Sequence, residues 1–510
     1  MMDYRAGQVI EVTTRDVAHG GWCVARPEDG PVVFVRHTLP GETVLARLTE
    51  VTSRLARADA VEILKASPDR VQAPCPHAHP GGCGGCDWQH AALPAQRALK
   101  AAVVRQQLRR LAGLDREVTV EALPGDEEPG GEEPGGEEPG GEEPGGEEPG
   151  GEEPGGQGTG GQGTGARPAG GGLGWRTRVQ FSVRRDGVAG LRAHRSHDVI
   201  DVGQCLIAHP ALTDLGVTGR RWPGTSSVEA LVAVGSGERA VVITPGRAGS
   251  GGGAGPGGRT RQPPGTPRVR GGSTPQFPPA SPAPPDSLYP PGADSVLRRA
   301  GHSLTPLRGR SYLSQHAAGR DWRVAAGAFW QVHPGAADVL TDVIMAELAP
   351  EPGDVALDLY CGAGLFAGSL AQAVGPGGTV IGVEADNAAV RDARHNLREW
   401  PWARVHKGDV AEVLGRGGQL GAIPPARLVV ADPPRAGLAR EVIDYLGAPE
   451  NAAARFAYVS CDPATMARDI GLLLGRGWTL GGLRAFDAFP MTHHVECVAT
   501  LLAPPAAKPA

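Results

Sequence analysis

Val355-Ala356-Leu357-Asp358-Leu359-Tyr360 is a short, mostly apolar run, and Cys361-Gly362-Ala363-Gly364-Leu365-Phe366-Ala367 follows it directly. Gly362, Gly364 and Ala367 fit the spacing G-x-G-x-x-G/A between a strand and a helix. Glycines at such a turn let a ligand approach the backbone at a helix N-terminus. Glu384 closes the next strand-like run, 379–384, and a carboxylate there can accept hydrogen bonds from both hydroxyls of a ribose. On its own this motif fits a tight structural turn, a nicotinamide dinucleotide or S-adenosylmethionine. Tyr360 either walls such a site or packs in the core.

Further strand-like runs at 403–406, 428–431 and 457–460 alternate with helical patterns at 336–348 and 387–397. The spacing predicts an open, mainly parallel α/β sheet from about residue 321. The last two runs, 482–486 and 495–502, follow each other without a long helix and read as an antiparallel pair closing the edge. The run at 428–431 leads into Asp432-Pro433-Pro434-Arg435. A carboxylate and a rigid turn then lie at the carboxyl ends of the strands, where open α/β sheets bind ligands. Dehydrogenases need no such corner, whereas enzymes that methylate a planar base commonly have one.

The next strand ends in Ser460-Cys461-Asp462-Pro463-Ala464-Thr465. Cys461 therefore shares that edge, and a helix starting nearby would favour its thiolate. Cys23, Cys361 and Cys497 read instead as buried small apolar residues. If the target is uracil, a nucleophile is required. A thiolate adding to C6 makes C5 reactive towards a methyl sulfonium, and a base must then remove the C5 proton. Glu496, opening the final strand in Phe489-Pro490-Met491-Thr492-His493-His494-Val495-Glu496, is the candidate base, with a solvated strand-end Glu as the alternative.

Composition bounds the rest of the chain. It has 510 residues, 77 of them Gly and 47 Pro, too many for one uniformly packed body. Six Glu-Glu-Pro-Gly-Gly repeats hold twelve Glu between 127 and 156, and setting these aside turns the net charge of −6 into +6. A mildly basic body permits a polyanionic partner. The segments 126–173 and 246–292 lack apolar periodicity and read as disordered insertions. No apolar run is long enough for a membrane span, and the N-terminus has no signal-peptide core. Eight Cys are too few for a disulfide scaffold, so a cytoplasmic protein is expected.

Short β runs near residues 9, 21, 31 and 42 suit a small antiparallel barrel, a form that often binds single-stranded nucleic acid. A helix near 94–111 places Leu99, Val103, Leu108 and Leu111 on one face. Arg97, Lys100, Arg105, Arg109 and Arg110 crowd the remainder, as a solvated face or an RNA groove. Between barrel and helix, Cys75, Cys83 and Cys86 stand in C-x7-C-x2-C spacing, and Cys205 follows in the central segment. Four thiolates suit an iron–sulfur cluster or zinc equally by spacing, and His77, His79 and His90 keep zinc open.

Together the Asp358–Gly364 run, Asp-Pro-Pro-Arg at 432–435, Val-Ser-Cys-Asp-Pro-Ala-Thr at 459–465 and the closing Phe-Pro-Met-Thr-His-His-Val-Glu resemble the RNA (uracil-5-)-methyltransferase family. The resemblance implies a multidomain chain. An OB-like TRAM β-barrel at 1–66 would bind RNA, and a Cys-cluster loop and basic helix would fill 67–125. The 126–173 insertion would precede a central α+β RNA-binding domain at 174–320, itself interrupted at 246–292. A Rossmann-like class I methyltransferase domain would span 321–504. It implies S-adenosylmethionine as cofactor, with Gln331 at the cofactor and Tyr360, Glu384 and Asp432 contacting either the cofactor or the target base. Asp409 is a weaker match, to the adenine. By the same resemblance Cys461 is the nucleophile, Glu496 the base, and Cys75, Cys83, Cys86 and Cys205 hold a structural [4Fe-4S] cluster. The implied partner is ribosomal or transfer RNA, with no obligate protein partner and no membrane. Two other readings remain: an RNA-binding iron–sulfur protein with an inactive methyltransferase fold, and an amino-group methyltransferase for adenine or guanine.

Overall fold

In the first 65 residues, side chains alternate between buried and exposed along strands that close on themselves. A computed structural model of the chain describes residues 4–28, 30–126, 171–246, 289–415, 425–448, 451 and 453–504. The Glu-Glu-Pro-Gly-Gly repeats lie outside the described residues, as does most of both segments read as insertions. The barrel strands are β1 (Val9–Ala18), β2 (Trp22–Ala25), β3 (Val32–Arg36), β4 (Thr43–Val51) and β5 (Leu55–Lys65), in the order β1-β2-β3-β5-β4. Closure removes the exposed edges that an open sheet of this size would carry. Val33, Val35, Val44, Leu48, Ala56 and Ala58 fill the interior. The spacing predicts four of these strands. The fifth, β5, turns Ala56, Ala58 and Ala60 inward, and alanine carries little strand signal.

Next come α1 (Leu93–Gln107), which ends in a single π-turn at Leu108–Ala112, and the short β6 (Val120–Ala122). The central sheet uses β7 (Arg178–Val183), β8 (Ala189–Arg192), β9 (Val199–Ile200), β10 (Thr225–Val232), β11 (Arg239–Pro245), β12 (Ser295–Ala300) and β13 (Ser303–Arg308). The four-residue helix α2 (Pro210–Thr213) lies between β9 and β10, and the strand order is β13-β12-β11-β10-β7-β8-β9. A hairpin follows, β14 (Tyr312–Ala317) with β15 (Arg320–Ala325). The boundary expected at 320/321 thus cuts a hairpin. Its Ala317, Trp322 and Val324 pack with the C-terminal core.

The C-terminal unit runs α3 (Ala336–Leu348), β16 (Val355–Leu359), α4 (Leu365–Val374), β17 (Thr379–Glu384), α5 (Asn387–Asn396), β18 (Ala403–Lys407) and α6 (Val410–Leu414). It continues with β19 (Leu428–Ala431), α7 (Arg440–Leu446), β20 (Arg455–Ser460), α8 (Pro463–Leu474), β21 (Thr479–Asp487) and β22 (Glu496–Leu502). Both faces of its sheet are covered, as a parallel sheet requires. Ala356, Val430 and Val459 point into one apolar layer, and Leu357, Val429 and Tyr458 into the other.

The strand order is β18-β17-β16-β19-β20-β22-β21-β6. The expected antiparallel pair is present, but it does not close the edge. β22 inserts between β20 and β21, and β6 pairs in parallel with β21 outside it. Segment 67–125 is therefore not a separate unit: its last strand belongs to the C-terminal sheet. The limits of the expected insertions also move. Asp126 is buried against His333, Leu173 packs beside Leu93 and Trp175, and Tyr289 is in the central core.

The basic face of α1 needs a larger correction. Lys100 is fully buried, paired with the equally buried Asp487, and donates to the Phe489 carbonyl at 3.1 Å. It cannot line an RNA groove. Beside it, Gln96 accepts from the Met491 amide at 2.8 Å. Removing one partner of a buried pair strands the other charge. Lys100→Met is therefore expected to cost about 3–5 kcal/mol, and Lys100→Met with Asp487→Leu to recover most of it. Urea unfolding of the three proteins checks this. A single variant within about 1 kcal/mol of the parent would show that the pair is not the anchor described.

Candidate active site

The sheet register brings the two catalytic candidates together. β20 and β22 are antiparallel with Ser460 opposite Cys497, so the next step along both chains sets Cys461 opposite Glu496. Glu496 is 4% exposed and Cys461 is half-buried. Asp432 follows the neighbouring β19, and Gln331 reaches it from the segment after β15, donating from Nε2 to Oδ2 at 3.4 Å. Four of the predicted residues thus converge at the carboxyl ends of β19 and β20.

This corner is crowded with acids. Burial lifts the Asp432 carboxyl to about 7. Burial, then the Asp432 charge, push Glu496 well above the usual carboxylate range, with Arg435 opposing. Burial and the Glu496 carboxylate push the Cys461 thiol up to about 12, again against Arg435. The expected helix N-terminus is present, since α8 starts two residues later. Its free amides are taken, however: Asp462 caps them, accepting from Ala464 and Thr465 at 3.0 Å each. The amides serve that carboxylate instead of the thiol, so Cys461 rests protonated. Asp462 also meets His19 of the barrel at 3.3 Å. Burial alone would raise Asp462, but this bond and the two amides hold it at about 2.

The glycine loop is shaped as its spacing predicts. Gly362 has φ +53° and Gly364 φ +91°, and a Cβ on Gly362 would meet nothing within 4 Å. Glu384 is held beside it, accepting from the Gly362 amide at 3.0 Å and the Asp386 amide at 2.7 Å. Tyr360 adopts φ +65°, a left-handed conformation that costs a tyrosine on the order of 1–2 kcal/mol and persists only where surroundings impose it. Its ring packs on the apolar layer under β16, as the core reading expects. Asp409 is used structurally, capping α6 through the Ala411 and Glu412 amides.

Sequence reasoning missed Asp358. It is 1% exposed, accepts from the Ala367 amide at 2.8 Å, and leaves Oδ1 buried without a partner. Burial raises its pKa well above the carboxylate range; the Ala367 bond opposes this, and Asp432 and Glu384 add to it. Its signal was present: an acid in the middle of an otherwise apolar strand has to be used.

Cys75, Cys83, Cys86 and Cys205 come together across about 130 residues of sequence. All four line one cavity of ≈ 460 Å³, with Arg176 and Gln89 among the other walls. Cys86 and Cys205 pack on the same small apolar cluster. Burial, and beyond it the neighbouring thiols, raise the pKa values of Cys83, Cys86 and Cys205. Among the described residues no three His, Cys, Asp or Glu side chains converge tightly enough to hold a single metal ion. His90 is buried and directed to the Thr38 carbonyl, at 3.4 Å. Every described cysteine is free of a disulfide, and no described helix is long and apolar enough to cross a membrane.

Comparison with known proteins agrees with this architecture. Residues 425–503 match the family described as tRNA (Uracil-5-)-methyltransferase, and residues 5–61 match the TRAM domain. An uncharacterized RNA methyltransferase of Streptomyces avermitilis is 44% identical over 509 residues, covering 98% of this chain and 99% of its own. One of Bifidobacterium longum is 31% identical, covering 96% and 95%. The crystal structure of Pyrococcus abyssi tRNA (uracil-54, C5)-methyltransferase in complex with S-adenosyl-L-homocysteine covers 96% of this chain and 99% of its own, with TM-score 0.61 and 20% identity. At that identity the likeness is one of fold.

The buried thiol makes a pH prediction. A raised pKa means that the neutral form dominates to higher pH than in an ordinary cysteine, near 8.5. With the thiol at about 12, iodoacetamide labelling of the Cys461 peptide should stay slow and keep rising to the alkaline limit of folding. Mass spectrometry across a pH series reads it. A labelling rate that levels off just above pH ~8.5 would contradict the thiol environment described.

Proposed function

Because the chain belongs to the RNA (uracil-5-)-methyltransferase family, we propose that it moves a methyl group from S-adenosylmethionine to C5 of a uridine in structured RNA, ribosomal or transfer, through a covalent Cys461 adduct. The observation that carries this reading is the register placing Cys461 opposite Glu496, with Asp432 on the adjacent strand end.

The glycine loop and strand ends suit the methyl donor. Gly362 leaves open space, Glu384 is pinned at the loop by two backbone amides, and Gln331 is bonded to Asp432 at the same sheet edge; these residues would hold S-adenosylmethionine. When bound, S-adenosylmethionine supplies an electrophilic methyl sulfonium. A resting thiolate beside it would be methylated itself, and the protonated resting Cys461 avoids that loss. On uracil binding, the thiol proton passes to the Asp432 carboxylate, and Arg435 favours both the thiolate and the ionised Glu496, which stays free to act as the base. Sulfur bonds to C6, and the C5–C6 π electrons move onto the O4 side as an enolate. C5 then takes the methyl group, whose bond to the sulfonium breaks to leave the neutral thioether. Glu496 removes the C5 proton, the C5–C6 double bond re-forms, and the C6–S bond breaks to return the thiolate. The target base must be unstacked to reach this corner.

The family resemblance assigns the four thiols a [4Fe-4S] cluster, and they line one cavity together. Cys75, Cys83, Cys86 and Cys205 would hold it, with a structural role. Protein purified without oxygen should contain about four irons and broad visible absorption, both lost in Cys83→Ser. Stoichiometric zinc instead would overturn the assignment.

The mechanism is tested with RNA containing 5-fluorouridine at the target. Addition and methyl transfer still proceed, but C5 then carries no proton to remove. A complex stable on a denaturing gel should form, with the RNA attached at Cys461. Glu496→Gln should accumulate an adduct on ordinary RNA, and Cys461→Ala should form none. Full activity of Cys461→Ala would point to amino-group methylation instead. Attachment at Cys361 or Cys497 would refute the assigned roles.

A further inference from the structure

Trp22, the first residue of β2, is 9% exposed beneath three guanidinium groups. Arg36 of β3 and Arg57 of β5 each lie 5.9 Å from the ring centroid. Arg195, from the turn between β8 and β9, lies 5.5 Å away. His194 meets the ring edge-on at 6.2 Å. One indole thus joins the barrel to the central sheet. Arg36 is buried and lies 3.5 Å from Asp87, and Arg57 pairs with Glu50. Arg195 is exposed and, among the described residues, its side chain pairs with no carboxylate and makes no hydrogen bond.

The turn that carries Arg195 is held from behind. Arg195 has φ +51°, a backbone conformation that a non-glycine residue keeps only when its surroundings dictate it. The Ala193 amide donates to the Asp198 carbonyl at 2.9 Å, and the Gly84 amide to the Arg192 carbonyl at 3.1 Å. Cys83 forms an antiparallel bridge with Ala193. A Cβ on Gly84 would stand 2.7 Å from the His194 Cα. The cysteine loop is thus pressed flat against the turn.

This cluster borders the candidate active site. Gly21, beside Trp22, is so close to the catalytic loop that a Cβ would stand 3.0 Å from the Cβ of His493. His19, on the same turn, reaches Asp462 next to Cys461. A guanidinium stacked on an aromatic face keeps its N–H edge free, and that edge fits a phosphate in the plane.

We propose that Arg195, held over the Trp22 ring that Arg57 also faces, clamps a backbone phosphate of the RNA next to the target uridine, and that the 75–86 loop sets its position. The proposal rests on the RNA reading above and adds a recognition point to it. It gives the cysteine loop a task in RNA binding, with no part in the methyl transfer.

The test uses the full chain and a fluorescein-labelled 12-nucleotide oligouridylate, followed by anisotropy over a potassium chloride series. Arg195→Asn keeps a residue that tolerates the left-handed backbone. It should weaken binding about tenfold and flatten the slope of log K against log salt by about 0.7, one phosphate's share on a single strand. Arg195→Lys should keep the slope but stay weaker than the parent. Arg440→Asn, an exposed arginine on α7, should change affinity less than about twofold. S-adenosylmethionine affinity should be unchanged in all three. If Arg195→Asn binds with the parent's affinity and slope while the parent binds salt-dependently, the clamp is wrong and the RNA reading stands. Full rescue by Arg195→Lys would overturn the stacked geometry. A parent with no salt-dependent binding would remove both.

Discussion

The buried pair of Lys100 and Asp487 holds the parts of this protein that meet at the candidate site. Asp487 ends β21, and the chain from there to Glu496 is an irregular loop whose own bonds are short-range, such as Thr492 to the Phe489 carbonyl at 2.8 Å. Lys100 reaches that loop from a helix almost 400 residues earlier and also takes the Phe489 carbonyl. Gln96 takes the Met491 amide, and the Asp87 and Trp88 amides donate to the Met491 carbonyl at 3.1 and 3.0 Å. Met491 is left-handed, at φ +68°. Burying two charges gains little net stability, since desolvation offsets their attraction. What the pair provides is position. The start of β22, and with it Glu496, is set by residues that precede the sheet in sequence. This explains why β6 and α1 belong to the C-terminal core.

The electrostatics of the corner follow from the same enclosure. Asp358, Asp432, Glu496 and Cys461 are acids that share little water, and burial opposes the charged form of each. Charging one makes the others harder to charge. Such a site rests with few charges and can accept a proton from one member onto another. Arg435 favours the charged forms of Cys461 and Glu496, and its guanidinium is held in turn by His494 at 2.9 Å. Burial, then His493 and Arg435, keep the His494 ring at about 3, so it accepts from the arginine as a neutral base.

Much of this was legible in the sequence, for reasons that differ by region. The parallel strands are continuous apolar runs with glycine or proline at their ends, and the predicted limits of β17, β19 and α3 match the structure. Gly362, Glu384, Asp432 and Cys461 were legible because each sits at a strand end, where an open sheet presents side chains to a ligand. Three features were hidden. β5 fills the barrel with alanine, which carries no strand signature. β6 has three residues and pairs with residues 365 positions further along, Val120 opposite Ala485, a contact with no local pattern. Lys100 reads as one more cation on a basic helix, because a buried lysine differs from an exposed one only by a partner distant in sequence.

The positions of the two long interruptions follow from what is tied down around them. β11 and β12 are parallel neighbours, so the segment joining them leaves and re-enters along one sheet, with Tyr289 buried on the return. At the earlier interruption, Asp126 is bonded to His333 at 2.9 Å, and His333 lies two residues from Gln331. The returning Gly172 is wedged among Leu93, Pro490 and Met491, where a Cβ would come within 2.8 Å of the leucine. Both ends are therefore fastened to the wall of the candidate site. A fold whose loop ends are held this firmly can carry long insertions beside its most constrained residues without moving them.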